Sequence, residues 1–169
     1  VYGEHQGEIV TEDTPLTPEL HTGKILVATE EQLRSIASPQ RHVCLFRLGE
    51  IYGPGREIAN RLRQLNGRPL LGTGENITNL IHLDQLISAL DFALTMDLNG
   101  TYNLCNDIHI TRQKMYDQIC QQEGLPAVTW DGTKKRYHGG NKTVSNQKLK
   151  DAGFLMVPHS NEYLADFHH

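Results

Sequence analysis

"HVCLFRLGEIYGPGR", residues His42 to Arg56, carries the reading of the fold. Its first half, His42 to Leu48, is a short apolar run without alternation. Such a run predicts a strand covered on both faces, as in a parallel sheet. The second half, Gly49 to Arg56, holds three glycines and a proline in eight residues and predicts a loop.

Upstream, residues 4 to 19 are polar, contain Pro15 and Pro18, and read as a loop. "PELHTGKILVATEEQL", Pro18 to Leu33, reads as the start of a helix, with Thr17 and Pro18 marking its entry. Ile25, Leu26, Leu33 and Ile36 fall on one face, and Ser38-Pro39 ends the helix. Downstream, Ile58, Leu62 and Leu65 mark a second helix, stopped near Gly67. "NLIHL" and "TYNLCN" read as strands. Asp84 is placed to cap the helix between them, and Thr111 the helix that holds Met115 and Ile119 and ends at Gly124. "AVTW" is strand-like, and Ser145 is placed to cap a last short helix. Helices thus alternate with strands almost throughout, which predicts an α/β fold.

The chain has 169 residues, 38% of them hydrophobic and 21% charged, which suits one globular unit. A formal net charge of −4 argues against general nucleic-acid binding. No apolar run is long enough to span a membrane, and no signal peptide is visible. Cys44, Cys105 and Cys120 form no CxxC pair and each sits in an apolar stretch, which predicts buried, reduced thiols and a cytoplasmic setting. The nine histidines lack metal-ligand spacing, so no metal is expected. No GxGxxG turn lies between a strand and a helix. The abrupt opening at Val1-Tyr2 reads as the C-terminal part of a longer protein.

"VYGE" with "TEDTP", then "FRLGEIYGPGR", "NLIHLDQLISAL", "GTYNLCND" and "TVSNQKLKDAGF" follow one another in a fixed order. Together, over nearly all of residues 1 to 155, they resemble the C-terminal half of the extended short-chain dehydrogenase/reductases, the NAD-dependent epimerase/dehydratase family. The resemblance implies a partial Rossmann-type parallel sheet with helices, plus a small α/β substrate-binding lobe. Residues 1 to about 110 would complete the Rossmann layer, interleaved with lobe segments, and residues from about 111 to 169 would form mostly the lobe. It implies NAD or NADP, gripped only with an N-terminal Rossmann half, and a sugar-like or other small carbonyl or alcohol substrate. A homodimer is a further expectation. A non-catalytic dinucleotide-binding module or redox-responsive regulator is the alternative.

In that family a tyrosine one helical turn before a lysine passes the proton. A phenol with a pKa of about 10 needs a nearby cation to act as a base. Here Lys24 matches the lysine, but Leu20 stands at the tyrosine position and has no proton to give. His21 and Thr22 do not keep the spacing. The departure is of the kind that marks atypical members. Lys24 is therefore read two ways, as a contact to the nicotinamide ribose with a tentative catalytic role, or as a solvated helix lysine.

By the same resemblance, Leu48, Gly49, Glu50 and Ile51 lie beside the cofactor, with Gly49 letting the backbone approach a ring. Arg56, Asn79 and Lys142 are the substrate-binding candidates. Arg47, embedded among apolar neighbours, calls for a buried partner and a structural role. His82 and Asp84 are expected to fix the strand-to-helix junction. Lys134, Lys135 and Arg136 read either as a cationic contact for a diphosphate-sugar or as a solvated loop.

Overall fold

The computed structural model describes residues 1–65, 67–133 and 140–156. In chain order the elements are β1 (Ile9–Val10), α1 (His21–Ser35), β2 (Cys44–Leu48), β3 (Glu50–Tyr52), α2 (Ile58–Leu65), β4 (Leu70–Leu71) and β5 (Leu80–His82). α3 (Leu83–Thr95), β6 (Gly100–Leu104), α4 (Arg112–Gln122), β7 (Trp130–Asp131), β8 (Thr143–Val144) and α5 (Gln147–Asp151) follow. The strands pair as β2 with β6, β3 with β5, β1 with β8 and β4 with β7, and all four pairs are parallel. Parallel pairing requires crossovers, and the helices supply them. This is the α/β architecture that the alternating pattern predicts.

The longest pair sets Cys44 opposite Gly100 and runs to Leu48 opposite Leu104. At its end the chain changes partner. The Gly49 amide still donates to the Leu104 carbonyl at 2.9 Å, whereas the Glu50 amide donates to the Asn79 carbonyl at 2.7 Å and starts the β3–β5 pair. A Cβ on Gly49 would lie 2.7 Å from the Asn79 oxygen, so only glycine fits this crossing.

Apolar side chains gather in two main cores. One joins Ile58, Ala59 and Leu62 of α2 to Met115, Tyr116 and Ile119 of α4. The other joins Ile81, Ala89, Tyr102 and Leu104 to Leu149 and Phe154 near the end of the described chain. A small third core holds Tyr2, Val10, Cys105 and Val144. Cys105 and Cys120 are buried and Cys44 is half-buried, all as free thiols. Burial pushes the Cys105 thiol up to about 12.

Several boundaries differ from the sequence expectation. α1 begins at His21, with Leu20 as an N-cap that offers no side-chain bond. Thr17 does not cap it, because its hydroxyl donates to the Tyr2 carbonyl at 2.5 Å. The polar stretch read as a loop contains β1. His82, not Asp84, caps α3: its Nδ1 accepts from the Asp84 amide at 3.2 Å. Thr111 caps α4 as expected, while Asn146 directly precedes α5 without a side-chain cap bond and the Ser145 hydroxyl accepts from the Gln147 amide at 3.3 Å. "AVTW" contributes only Trp130 to a strand.

The largest difference concerns cover. β2 was expected to be buried on both faces, yet none of its residues is fully buried and Leu48 is exposed. α1 buries no residue at all. Among the described residues, β2 pairs along one edge only, and no element covers the apolar stripe of α1. No helix among the described residues is long and apolar enough to cross a membrane.

Candidate functional site

The carboxyl end of β2 delivers Arg47 into a partly buried ion-pair network. Its guanidinium donates to both Glu30 oxygens, Nε to Oε1 at 3.0 Å and Nη2 to Oε2 at 2.8 Å. Nη1 donates to the Tyr2 hydroxyl at 2.9 Å and to the Glu12 carbonyl at 3.2 Å. The Tyr2 hydroxyl in turn donates to Asn103 Oδ1 at 2.6 Å. Arg47 thus has the buried partner that its sequence surroundings call for. Glu30 is shared with Arg34, one turn further along α1.

Glu50 has the same arrangement. One oxygen accepts from Arg61, and the other from Arg112 Nη2 at 2.9 Å. Burial works to raise its carboxyl pKa, but Arg112 and Arg61 outweigh it and hold the group below the usual carboxylate value. Arg112 is itself buried, donates to the Tyr116 hydroxyl at 3.0 Å and lies over that ring. Tyr116 stacks on Trp130 with centroids 6.0 Å apart.

Asn79 uses both ends of its amide on β8. Its Nδ2 donates to the Lys142 carbonyl at 2.9 Å, and its Oδ1 accepts from the Val144 amide at 2.7 Å. These bonds set the position of Lys142, whose Nζ donates to the Gly3 carbonyl at 3.1 Å. Gly3 has φ of +80°, and a Cβ there would fall onto the Thr17 carbonyl, so this contact too requires glycine. Burial lowers the Lys142 pKa, while Glu4 and Glu19 work to raise it.

These groups converge on one cleft of about 200 Å³, just beyond the carboxyl end of β2. Leu48, Gly49, Glu50, Asn79 and Lys142 line it, so five sequence candidates from three separate stretches meet. Lys24, Ile51 and Arg56 do not line it. Lys24 is exposed on α1 and makes no side-chain hydrogen bond or ion pair among the described residues. Ile51 packs against the second core, and Arg56 is exposed. Lys134, Lys135 and Arg136 lie outside the described residues. The sequence reading missed Arg112 and Tyr2, both on the cleft wall. The signal was present for Arg112, because it sits four residues before Tyr116 and so shares its helix face.

The lining is cationic although the chain carries a net negative charge. Arg47, Arg112 and Lys142 face one carboxylate, Glu50. Such a lining suits an anionic or oxygen-rich ligand. Gly53-Pro54-Gly55 joins β3 to α2, and no strand-to-helix turn among the described residues has the GxGxxG pattern of a dinucleotide cradle. His, Cys, Asp and Glu form no group that could hold a metal among the described residues.

Parallel strand pairs joined by helices, with a cleft beyond the end of β2, define a protein of Rossmann-like α/β class. Particular proteins share this form. No protein-family model matches the chain. Protein YeeZ of Escherichia coli K12 is 34% identical over 130 residues, covering 74% of this chain and 43% of YeeZ. A functionally unknown conserved protein from Silicibacter pomeroyi DSS superposes with a TM-score of 0.82 at 29% identity, over 97% of this chain and 61% of that one. DesIV, a dTDP-glucose 4,6-dehydratase from Streptomyces venezuelae solved with NAD and TYD bound, superposes with a TM-score of 0.80 at 19% identity, over 99% of this chain and 55% of DesIV. At that identity DesIV shares the fold. The chain spans less than two thirds of the length of each of these proteins.

Proposed function

We propose that the chain is the substrate-side part of an NAD(P)-dependent oxidoreductase or epimerase/dehydratase-like protein, an atypical extended short-chain dehydrogenase/reductase. Its substrate is sugar-like or another small carbonyl or alcohol compound. The observation that carries this reading is the convergence of Leu48, Gly49, Glu50, Asn79 and Lys142 on one cationic cleft beyond the parallel strands. An N-terminal Rossmann half supplies the phosphate turn that the described residues lack. A bound nicotinamide supplies or accepts the hydride. In this reading Lys24 holds the nicotinamide ribose, and the stretch Leu48 to Ile51 forms the wall beside the ring. Arg56, Asn79 and Lys142 belong to the substrate side.

One observation favours a second reading. Leu20 carries no proton at the position one turn before Lys24. A protein that binds a dinucleotide without turning it over, a redox-responsive regulator, needs none.

Calorimetric titration of NADH and NADPH into the full-length protein tests both readings. Binding is expected, and Lys24→Ala should weaken it by about 1.5–3 kcal/mol through loss of one charge-assisted hydrogen bond. Absence of binding by either dinucleotide would sink both readings. Binding without turnover across sugar nucleotides and simple aldehydes would select the regulator.

A further inference from the structure

We propose that Lys142 is the acid–base group of the cleft, placed to give a proton to, or take one from, an oxygen atom of the bound ligand. The inference rests on the reading above in supposing that the ligand carries a carbonyl or alcohol and that, for a reduction, a nicotinamide would supply the hydride. It follows from what the other ionisable side chains on the cleft wall are already doing.

Arginine does not release its proton in proteins, so Arg47 and Arg112 serve as fixed cations. Glu50 accepts from two arginines at once and is held ionised. The Tyr2 hydroxyl donates to Asn103 and accepts from Arg47, so its proton is directed away from the cleft. Burial raises its pKa further. Among the described residues, Lys142 remains as the side chain on the wall with a transferable proton.

Its placement is built rather than incidental. Asn79 anchors the Lys142 backbone, and the Gly3 carbonyl receives the ammonium. Gly3 packs on Thr17, three residues before Leu20 at the head of α1. Two contacts therefore lead from the Lys142 ammonium to the segment that enters α1, where a proton donor is absent. Among the described residues, the charged groups facing the ammonium include the Val1 amino group, Glu4 and Glu19 from the N-terminal segment, with Arg47, Glu50 and Arg112 around the cleft. Burial lowers the pKa of this amine, which moves it toward the range useful for proton transfer.

The step balances simply. In the reducing direction an N–H bond of the ammonium breaks and an O–H bond forms on the ligand oxygen. The nitrogen keeps the electron pair, and water restores its proton. The hydride and its two electrons belong to the reduced nicotinamide.

The test is trace labelling of the full-length protein with pyridoxal phosphate, trapped by borohydride and mapped by peptide mass spectrometry. The aldehyde reacts with neutral amines, and one unit of pKa depression makes the neutral form about tenfold more abundant. Lys142 should label measurably faster than the exposed Lys114 and Lys148 at neutral pH. Its rate should reach half-maximum at a lower pH than theirs. Glu19→Gln, which removes one opposing charge, should move that midpoint lower still. Lys142→Arg keeps the cation and should abolish the fast phase without loss of the folded state. Labelling of Lys142 no faster than Lys114, or a fast phase that survives Lys142→Arg, would overturn the assignment. Dinucleotide titration fails or succeeds independently of this labelling, so the two readings are separable.

Discussion

α1 and α4 carry similar apolar stripes and meet opposite fates. In α4, Met115, Tyr116, Ile119 and Cys120 are all buried, most of them against α2. In α1, Ile25 is 51% exposed, Leu26 55%, Leu33 38% and Ile36 49%. α4 is therefore held by apolar packing. α1 is held by polar links: Glu30 to Arg47, and a long bond from Arg34 to Thr101 at 3.4 Å. A stripe in sequence states that a face suits burial, and it does not state what buries it. The two helices divide the molecule into a finished half and a half with an open face.

The sharpest test of this division is the ion pair. The side chains of Arg47 and Glu30 are only 8% and 13% exposed. Arg47→Met removes the cation and leaves Glu30 and the Tyr2 hydroxyl short of a partner, so the 169-residue chain should lose about 3–5 kcal/mol in urea unfolding. A loss below about 1 kcal/mol would mean that α1 is held by something other than this pair. On the other side, Ile119→Ala empties a fully buried site in the α2–α4 core and should cost about 2–5 kcal/mol. The same denaturation series reads it. A small cost there would erase the contrast from the α4 side.

How far the sequence told this in advance depends on the range of each interaction. Local signals were clear. Thr111 capped α4 because an N-cap needs only its own hydroxyl and an amide three residues on. Arg47 announced its role because an arginine in an apolar strand must find a partner. The cleft was legible in part: Glu50 was marked by family resemblance, Asn79 by its place just outside a strand and Lys142 as a cation near a basic loop, and all three line the cleft. The i,i+4 spacing of Arg112 and Tyr116 was legible, but the pairing of Arg112 with Glu50, 62 residues away, follows no spacing rule. Leu20 hid its cap role because it caps with extended backbone and no side-chain bond. The lack of cover over α1 could not be read at all, because a stripe looks the same with or without a partner.

The smallest expected effect is also the one that bears most directly on the open face. Leu26 sits in the middle of the α1 stripe and is more than half exposed. Leu26→Ala changes helix propensity little. In the 169-residue chain, at a dilution where sedimentation shows monomer, it should shift unfolding by no more than about 0.5 kcal/mol, as exposed sites do. In a longer protein whose N-terminal Rossmann half covers α1, the same change empties a buried site and should cost about 2–5 kcal/mol. The comparison holds everything constant except the cover. Equal, small effects in both contexts would leave α1 facing solvent in the longer protein too, and would remove the N-terminal half as its partner. Equal, large effects would mean that this stripe is already buried in the shorter chain, and that α1 and α4 do not differ as described.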